Sequence, residues 1–304
     1  MGIFYLGSVL ALWLTVLLVR KTSKQENILV WTIVSFMLML CIQAFTCGVM
    51  GLLGIRITLL SAGLLNFFAA GGLGWLIARK GIQHYRFYLL DLFAVGFICF
   101  LTWRFALHHY GVSLDINFVS VDAAIHAKHA REVALEHRLP ISMYFAALPT
   151  GLMMSAWSAL TGMEPGEFFK VFIVCEMIYL ALSPLMLWAV IRENCGEGWF
   201  RQLVPLLAAP VYWIVYPAYS TIFGFSYYGI SICILTLLVF LLKRWFGEED
   251  SNSRIWVIAG LNLALFGIFV CYTLFVPVAF FGTLASLGSG MIQKDRRKCV
   301  NGRT

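Results

Sequence analysis

The sequence predicts an all-α membrane protein, a polytopic bundle of about ten transmembrane helices with an amphipathic interfacial helix in its main outer loop. Of the 304 residues, 61% are hydrophobic and only 12% are charged, about half the charged share of a typical soluble domain. Many windows of eighteen or more residues are almost wholly apolar, which is long enough for a helix to cross the hydrocarbon core. No loop is long enough to hold a second folded domain, so residues 1–304 form one transmembrane domain.

Charge and cysteine usage limit the classes of partner that we expect for this chain. The net charge of +7 sits mostly in short segments beside apolar runs, so it marks topology and headgroup contacts rather than a nucleic-acid surface. We therefore expect membrane lipid as a partner and no nucleic acid. The cysteines form no CxxC pair, and we interpret most of them as small buried apolar residues. They are Cys41, Cys47, Cys99, Cys175, Cys195, Cys233, Cys271 and Cys299.

Four spans occupy residues 1–108. The first has no basic segment before it and no small-residue cleavage site, so we predict a retained span rather than a signal peptide. Basic turns at 20–24 and 79–86 predict the cytoplasmic side. Asp91 and Arg104 lie near the ends of the fourth span, within reach of an interface. The four predicted spans are Gly2–Val19, Ile28–Met50, Ile57–Ala78 and Phe87–Leu107.

Six further spans follow the outer loop, within residues 141–292, before a basic tail at 293–304. Glu176 lies in the middle of one of them, and an ionisable residue at that depth must face the bundle interior or a cavity. The predicted spans are Ile141–Leu160, Phe168–Ile191, Gln202–Tyr219, Gly224–Leu242, Ile255–Phe275 and Val276–Ile292.

Simple alternation of these spans conflicts with the charges. If the polar loop is outside, alternation also puts residues 192–201, 243–254 and the basic tail outside, against the positive-inside rule. Either one span between residues 87 and 191 is re-entrant, or the last pair of spans is miscounted. A truncated chain, whose end was never selected as a terminus, is a third explanation.

The outer loop, residues 109–140, is the one long polar segment of the chain. Its second half reads VDAAIHAKHAREVALEHRLP, and five of the six histidines of the chain fall in or beside this loop. At about 100° per residue, Asp122, His126, His129 and Glu136 share one side of a helix. Alanines fill much of the remaining surface and favour helix formation. We predict a helix over 121–138 that lies along the membrane surface with its histidine face toward the bundle.

Two carboxylates in this loop are candidate catalytic or metal-binding groups. Asp122 and Asp115 could hold a divalent cation against a diphosphate, or take a proton from an acceptor hydroxyl. The alternative is that both are loop residues, with Asp122 in the first helical turn, where its charge suits the helix dipole.

The histidines and basic residues of the loop are candidate substrate-binding groups. The spacing of His126 and His129 with Asp122 is compatible with metal coordination, but the HExxH pattern is absent. We favour hydrogen bonds from these imidazoles to phosphate or substrate hydroxyls. Arg131 and Arg138 could hold a lipid phosphate; each could equally extend to the headgroup zone as an ordinary interfacial side chain.

The order of these features resembles a known family. An acidic residue precedes an amphipathic helix that ends in Leu-Pro. Next come Pro140-Ile141-Ser142-Met143-Tyr144 at the entry to a span and a Thr-Gly-Met-Glu-Pro turn into the following one. Over roughly 115–192 this resembles the GT-C superfamily of integral-membrane glycosyltransferases, which use polyprenyl-phosphate-linked sugars. The chain departs from that pattern because Asp115 and Asp122 are seven residues apart rather than adjacent, and because several spans precede the loop where the family usually has one.

The resemblance implies a function. A sugar would move from a lipid-phosphate donor to an acceptor at the outer face of a prokaryotic-type inner membrane, with Asp122, and less surely Asp115, as base or ligand of a divalent cation such as Mg²⁺ or Mn²⁺. Glu176 would join the substrate-binding set. Two other classes stay open: a transporter with Glu176 and Asp91 on its pathway, which lacks visible internal repeats, and a non-catalytic membrane assembly protein.

Overall fold

The computed structural model is an all-α bundle with one two-residue parallel strand pair, β1 (Glu26–Asn27) and β2 (Tyr85–Arg86). It describes residues 1–19, 25–111, 121–138, 147–162, 168–195, 203–204, 207, 226–247, 251–271 and 275–301. The principal helices are α1 (Gly2–Val19), α2 (Ile28–Leu52), α3 (Leu59–Lys80), α4 (Leu89–Tyr110), α5 (Val121–Glu136), α6 (Ala147–Thr161), α7 (Phe168–Cys195), α8 (Ser226–Gly247), α9 (Ser251–Cys271) and α10 (Val276–Asn301).

Seven of these helices are long and apolar enough to cross a membrane: α1, α2, α3, α4, α7, α8 and α9. The chain is therefore a multi-pass helical membrane protein. The predicted count of about ten spans is not confirmed. Helix α6 has only 15 residues, and the apolar part of α10 covers Val276–Ser289. The predicted span Gln202–Tyr219 lies almost wholly outside the described residues.

Ion pairs between helices define one end of the bundle, which we call the basic end. The Arg192 guanidinium on α7 donates from Nε to both oxygens of Asp91 on α4, at 2.9 and 3.0 Å. Arg244 on α8 binds Glu26 through two nitrogens, at 3.0 and 2.6 Å. Asp91 is fully buried and Arg192 is 5% exposed. Because an unpaired charge at such depth is costly, these pairs fix α4, α7 and α8 at a common end.

The opposite end, which we call the loop end, is defined by the turn before α3 and by the ends of α5 and α6. The backbone N–H of Ile57 donates to the His137 carbonyl just after α5, at 2.9 Å. The last turn of α6 lies against Gly2, whose added Cβ would be 2.8 Å from Leu160 Cγ. Both α5 and α6 therefore end at the same side as the N-terminus of α1.

The two ends give the directions in which α6 and α7 run. Helix α6 begins beside the middle of α2, where Pro149 lines a small cavity with Leu40, Cys41 and Ala44, and it ends at the loop end. Helix α7 then runs from there to Arg192 at the basic end. Helices α5 and α6 thus both end at the loop end, and neither is among the seven candidate spans. Arg192, Arg244 and Lys80 lie at the basic end.

Helices α5 and α6 pack side by side in the same direction. The Ser155 hydroxyl donates to the Ala134 carbonyl at 3.0 Å, and Gly151, one turn earlier on α6, lies against Ala130 and Val133 of α5. A Cβ at Gly151 would come within 2.6 Å of both the Ala130 carbonyl oxygen and Val133 Cβ. Glycine is required here because the two backbones approach more closely than any side chain allows, as at small-residue interfaces between membrane helices.

Replacing Gly151 with alanine should separate α5 from α6. We expect Gly151→Ala to lower the free energy of unfolding by about 1–3 kcal/mol, the usual cost of overpacking, in detergent-solubilised protein. The matched control is Gly7→Ala on α1, where an added Cβ meets nothing within 4 Å. Equal stabilities of the two variants would contradict the close packing at Gly151.

Candidate functional site

The face that α5 turns toward the bundle is built mainly from alanine. His126, Ala127, Ala130, Val133 and Ala134 are buried, and their spacing is that of one helical face. The prediction that the whole histidine stripe faces the bundle is right for His126, which is 5% exposed, and wrong for Glu136, which is exposed. The alanines take the contact face because only small side chains fit beside Gly151.

Asp122 is the second residue of α5 and lies one turn before His126. Residues four apart on a helix are neighbours on one face, with Cβ atoms about 5–6 Å apart. The backbone therefore puts Asp122 on the His126 side of the helix, in the first turn, where the dipole favours a negative charge. The side chain of Asp122 and the whole of Asp115 lie outside the described residues.

The two histidines of α5 have different environments. Burial, with a smaller contribution from His129, lowers the pKa of His126 to about 4 from its ordinary value of 6.5. His126 is thus a neutral imidazole at pH 7, able to exchange hydrogen bonds but not to supply positive charge. His129 is partly exposed and its Nδ1 lies 3.1 Å from Glu132 Oε2, and Lys128 lies 3.6 Å from the same carboxylate.

Glu176 lies on the face of α7 that is turned toward α5. It is 3% exposed, in agreement with the expectation that it faces the bundle interior. Phe172 and Leu180, four residues before and after it, pack in one cluster with Ala127 and Ala130 of α5. Because these positions share a helix face, Glu176 is directed at the same interior region as the buried face of α5.

A pair of buried hydroxyl groups borders this region. Thr150 on α6 and Tyr179 on α7 approach to 3.1 Å between their oxygen atoms, and both side chains are buried. Tyr179 follows Glu176 by three residues, so the carboxylate and the hydroxyls lie within one turn of α7. Sequence reasoning missed this pair, because a threonine and a tyrosine within apolar spans resemble ordinary packing residues.

Other predicted site residues lie elsewhere. Arg131 and Arg138 are exposed, away from the buried face of α5, which leaves them free to reach lipid headgroups. Asp91 is held at the basic end by Arg192, and it also accepts a hydrogen bond from Asn27 Nδ2 at 2.5 Å. These partners give Asp91 a structural role in packing α4 against α7. The partnership could not be read from the sequence, since about one hundred residues separate Asp91 from Arg192.

The described residues contain no group of three or more histidine, cysteine or carboxylate side chains placed to hold a metal ion. The predicted ligands Asp122 and Asp115 are not among the side chains covered by that statement.

Comparison with known proteins finds no match: no family, no curated protein and no solved structure aligns with this chain. The class that the fold itself defines is a multi-pass helical membrane protein.

The lowered pKa of His126 predicts a stability loss in mild acid. The unfolded chain takes up a proton near pH 6.5 and the folded chain only near pH 4, so stability is highest above pH 6.5 and falls as the pH is lowered toward 4. At 1.36 kcal/mol per pKa unit, the loss is about 3 kcal/mol. His126→Gln should remove this component from the pH profile of thermal unfolding in detergent.

The control for this measurement is His108→Gln, since His108 is exposed on α4. It should keep the wild-type pH profile. A wild-type profile that is flat between pH 6.5 and 4, or one that His126→Gln leaves unchanged, would show that His126 is not held neutral by burial.

Proposed function

We propose that the chain transfers a sugar from a polyprenyl-phosphate donor to an acceptor at the outer face of an inner membrane. The observation that supports the proposal is the position of Asp122 in the first turn of α5, one helical turn before His126, whose imidazole is buried and neutral. A carboxylate and a neutral imidazole on one face form a proton-accepting pair of the kind that acid–base catalysis uses.

The proposed chemistry assigns one proton transfer to Asp122. Its carboxylate accepts the proton of the acceptor hydroxyl while the acceptor oxygen forms a bond to the anomeric carbon. The bond from that carbon to the phosphate oxygen breaks, and the lipid phosphate leaves with the electron pair. His126, being neutral, would accept or donate a hydrogen bond to a sugar or acceptor hydroxyl. It would not neutralise the departing phosphate.

In this proposal, arginines and a divalent cation, rather than His126, supply the positive charge that stabilises the departing phosphate. Arg138 is exposed at the loop end, and Arg131, also exposed, lies about two turns before it; long basic side chains can reach lipid headgroups. Asp122 and Asp115 offer oxygen ligands of the type that Mg²⁺ or Mn²⁺ prefers, and such an ion would stabilise charge on the leaving phosphate when bound. The proton transfer assigned to Asp122 does not depend on the ion.

A transporter is the second candidate, and Glu176 is the observation in its favour. A carboxylate that is 3% exposed, beside the Thr150–Tyr179 hydroxyl pair, is typical of groups that bind a proton or cation within a membrane. Under this alternative Glu176→Gln removes activity and Asp122→Asn does not. If the chain is instead a non-catalytic membrane assembly protein, neither substitution changes a transfer or uptake rate.

Asp122→Asn should abolish sugar transfer and leave the protein folded and inserted. Asparagine keeps the size and can still accept a hydrogen bond in the first turn of a helix, but it cannot act as a base. Loss of a general base typically costs about 10²–10⁴-fold in rate. The measurement is transfer from a polyprenyl-phosphate-sugar donor in membranes at matched expression.

Glu136→Gln is the matched control, because Glu136 is an exposed carboxylate at the other end of α5. It should transfer at the wild-type rate. Asp115→Asn should lose as much activity as Asp122→Asn if the two carboxylates share a cation, and less otherwise. Near wild-type transfer by Asp122→Asn would reject the catalytic role, and no transfer by the wild type with any donor would reject the reaction class.

A further inference from the structure

A largely apolar crevice opens near the basic end, lined by residues of α1, α2, α3, α8 and α9. Its volume is about 620 Å³, including the open space at its mouth. The floor is formed by Leu38 and Ile42 of α2, and the walls include Leu73 of α3 and Trp256, Ala259 and Leu263 of α9. No described residue lining this crevice carries a charged group.

The crevice exists because α3 and α9 do not form a packed interface within the described residues. Helix α3 packs on α1, and α9 packs on α2 and α8, which leaves a gap between the two outer helices. Both are candidate membrane spans, over Leu59–Lys80 and Arg254–Cys271. A gap between two spanning helices opens sideways toward lipid rather than toward water.

One cation, Lys80, lies at the basic-end rim of this gap, and a second, Arg79, precedes it on α3. The Lys80 ammonium is 6.0 Å from the centre of the Trp256 ring, which itself lines the crevice. The Arg79 guanidinium lies 3.9 Å over the ring of Trp75. Both side chains are exposed in the last turn of α3. Among the described residues, no carboxylate lies within salt-bridge distance of either one.

We propose that this crevice binds one acyl chain of an anionic phospholipid, with the lipid phosphate held by Lys80 and Arg79. The apolar walls suit a hydrocarbon chain, and the two cations without carboxylate partners suit a negative headgroup at the membrane surface. The tryptophan at the rim is the residue type that prefers this depth. By the positive-inside rule the lipid belongs to the cytoplasmic leaflet. The site is independent of the sugar-transfer reaction.

The test measures lipid retention by the full chain. Purified protein in detergent is stripped of lipid and titrated with phosphatidylglycerol or phosphatidylcholine, and bound lipid is counted by native mass spectrometry. We expect saturable binding of one phosphatidylglycerol and much weaker binding of phosphatidylcholine. Replacing both cations, as Arg79→Gln with Lys80→Gln, should weaken phosphatidylglycerol binding about tenfold or more, since each basic side chain near a surface contributes appreciably to anionic-lipid affinity.

A second variant tests the crevice apart from the charges. Ala259 is exposed and lines the gap, so Ala259→Leu fills the space without entering the core and should also weaken binding. Its control is Ala78→Leu, an exposed alanine of α3 that does not line the crevice. Arg56→Gln, an exposed cation at the loop end, is the control for charge. Both controls should bind phosphatidylglycerol as the wild type does.

Three results would overturn the proposal. Equal retention of the two lipids would reject recognition of a net negative headgroup. Loss of binding in the charge variant but not in Ala259→Leu would place the lipid on the surface rather than in the crevice. Wild-type binding by every variant would reject the site altogether. None of these results bears on sugar transfer, which Asp122→Asn tests separately.

Discussion

The contact between Gly151 and the backbone of Ala130 is the constraint on which the loop-end half of the molecule depends. Only a residue without a side chain lets α6 come this close to α5, with 2.6 Å left for an added Cβ. The alanine face of α5 fits against it for the same reason. His126 is then carried into the interior, which removes water from its imidazole and lowers its pKa. The close packing of α5 against α6 thus buries His126 and keeps its imidazole neutral.

Charge pairing holds the opposite end of the bundle. Asp91 and Glu26 are buried carboxylates that arginines on distant helices neutralise, and Asn27 contributes twice, capping α2 and donating to Asp91. Removing one partner of such a pair leaves an uncompensated charge, which is strongly destabilising. The structural ion pairs thus lie at the basic end, whereas the candidate reactive group Glu176 lies in the first half of α7, nearer the loop end. The two sets of charged residues have different physical roles.

Much of the helical architecture was predictable, because apolar length alone defines a span. The first four spans and α7 and α8 were predicted within a few residues, and α5 was predicted as a helix from its alanines. Which face of α5 is buried was not predictable from the polar stripe, since that depends on Gly151 of another helix. The Asp91–Arg192 pair and the α3–α9 gap also depend on contacts between distant segments. Local patterns contain no information about those contacts.

Spin-label distances between α5 and α6 test most directly the claim that α5 is a bundle helix packed in the same direction as α6. Lys128, Leu135 and Trp157 are exposed labelling positions, usable in a variant without reactive native cysteines. Helices packed in the same direction place Leu135 level with Trp157, and Lys128 about 10 Å further along the axis, at 1.5 Å per residue. We therefore predict a clearly shorter distance for the Leu135–Trp157 pair than for Lys128–Trp157. Equal distances, or the reverse order, would contradict the account.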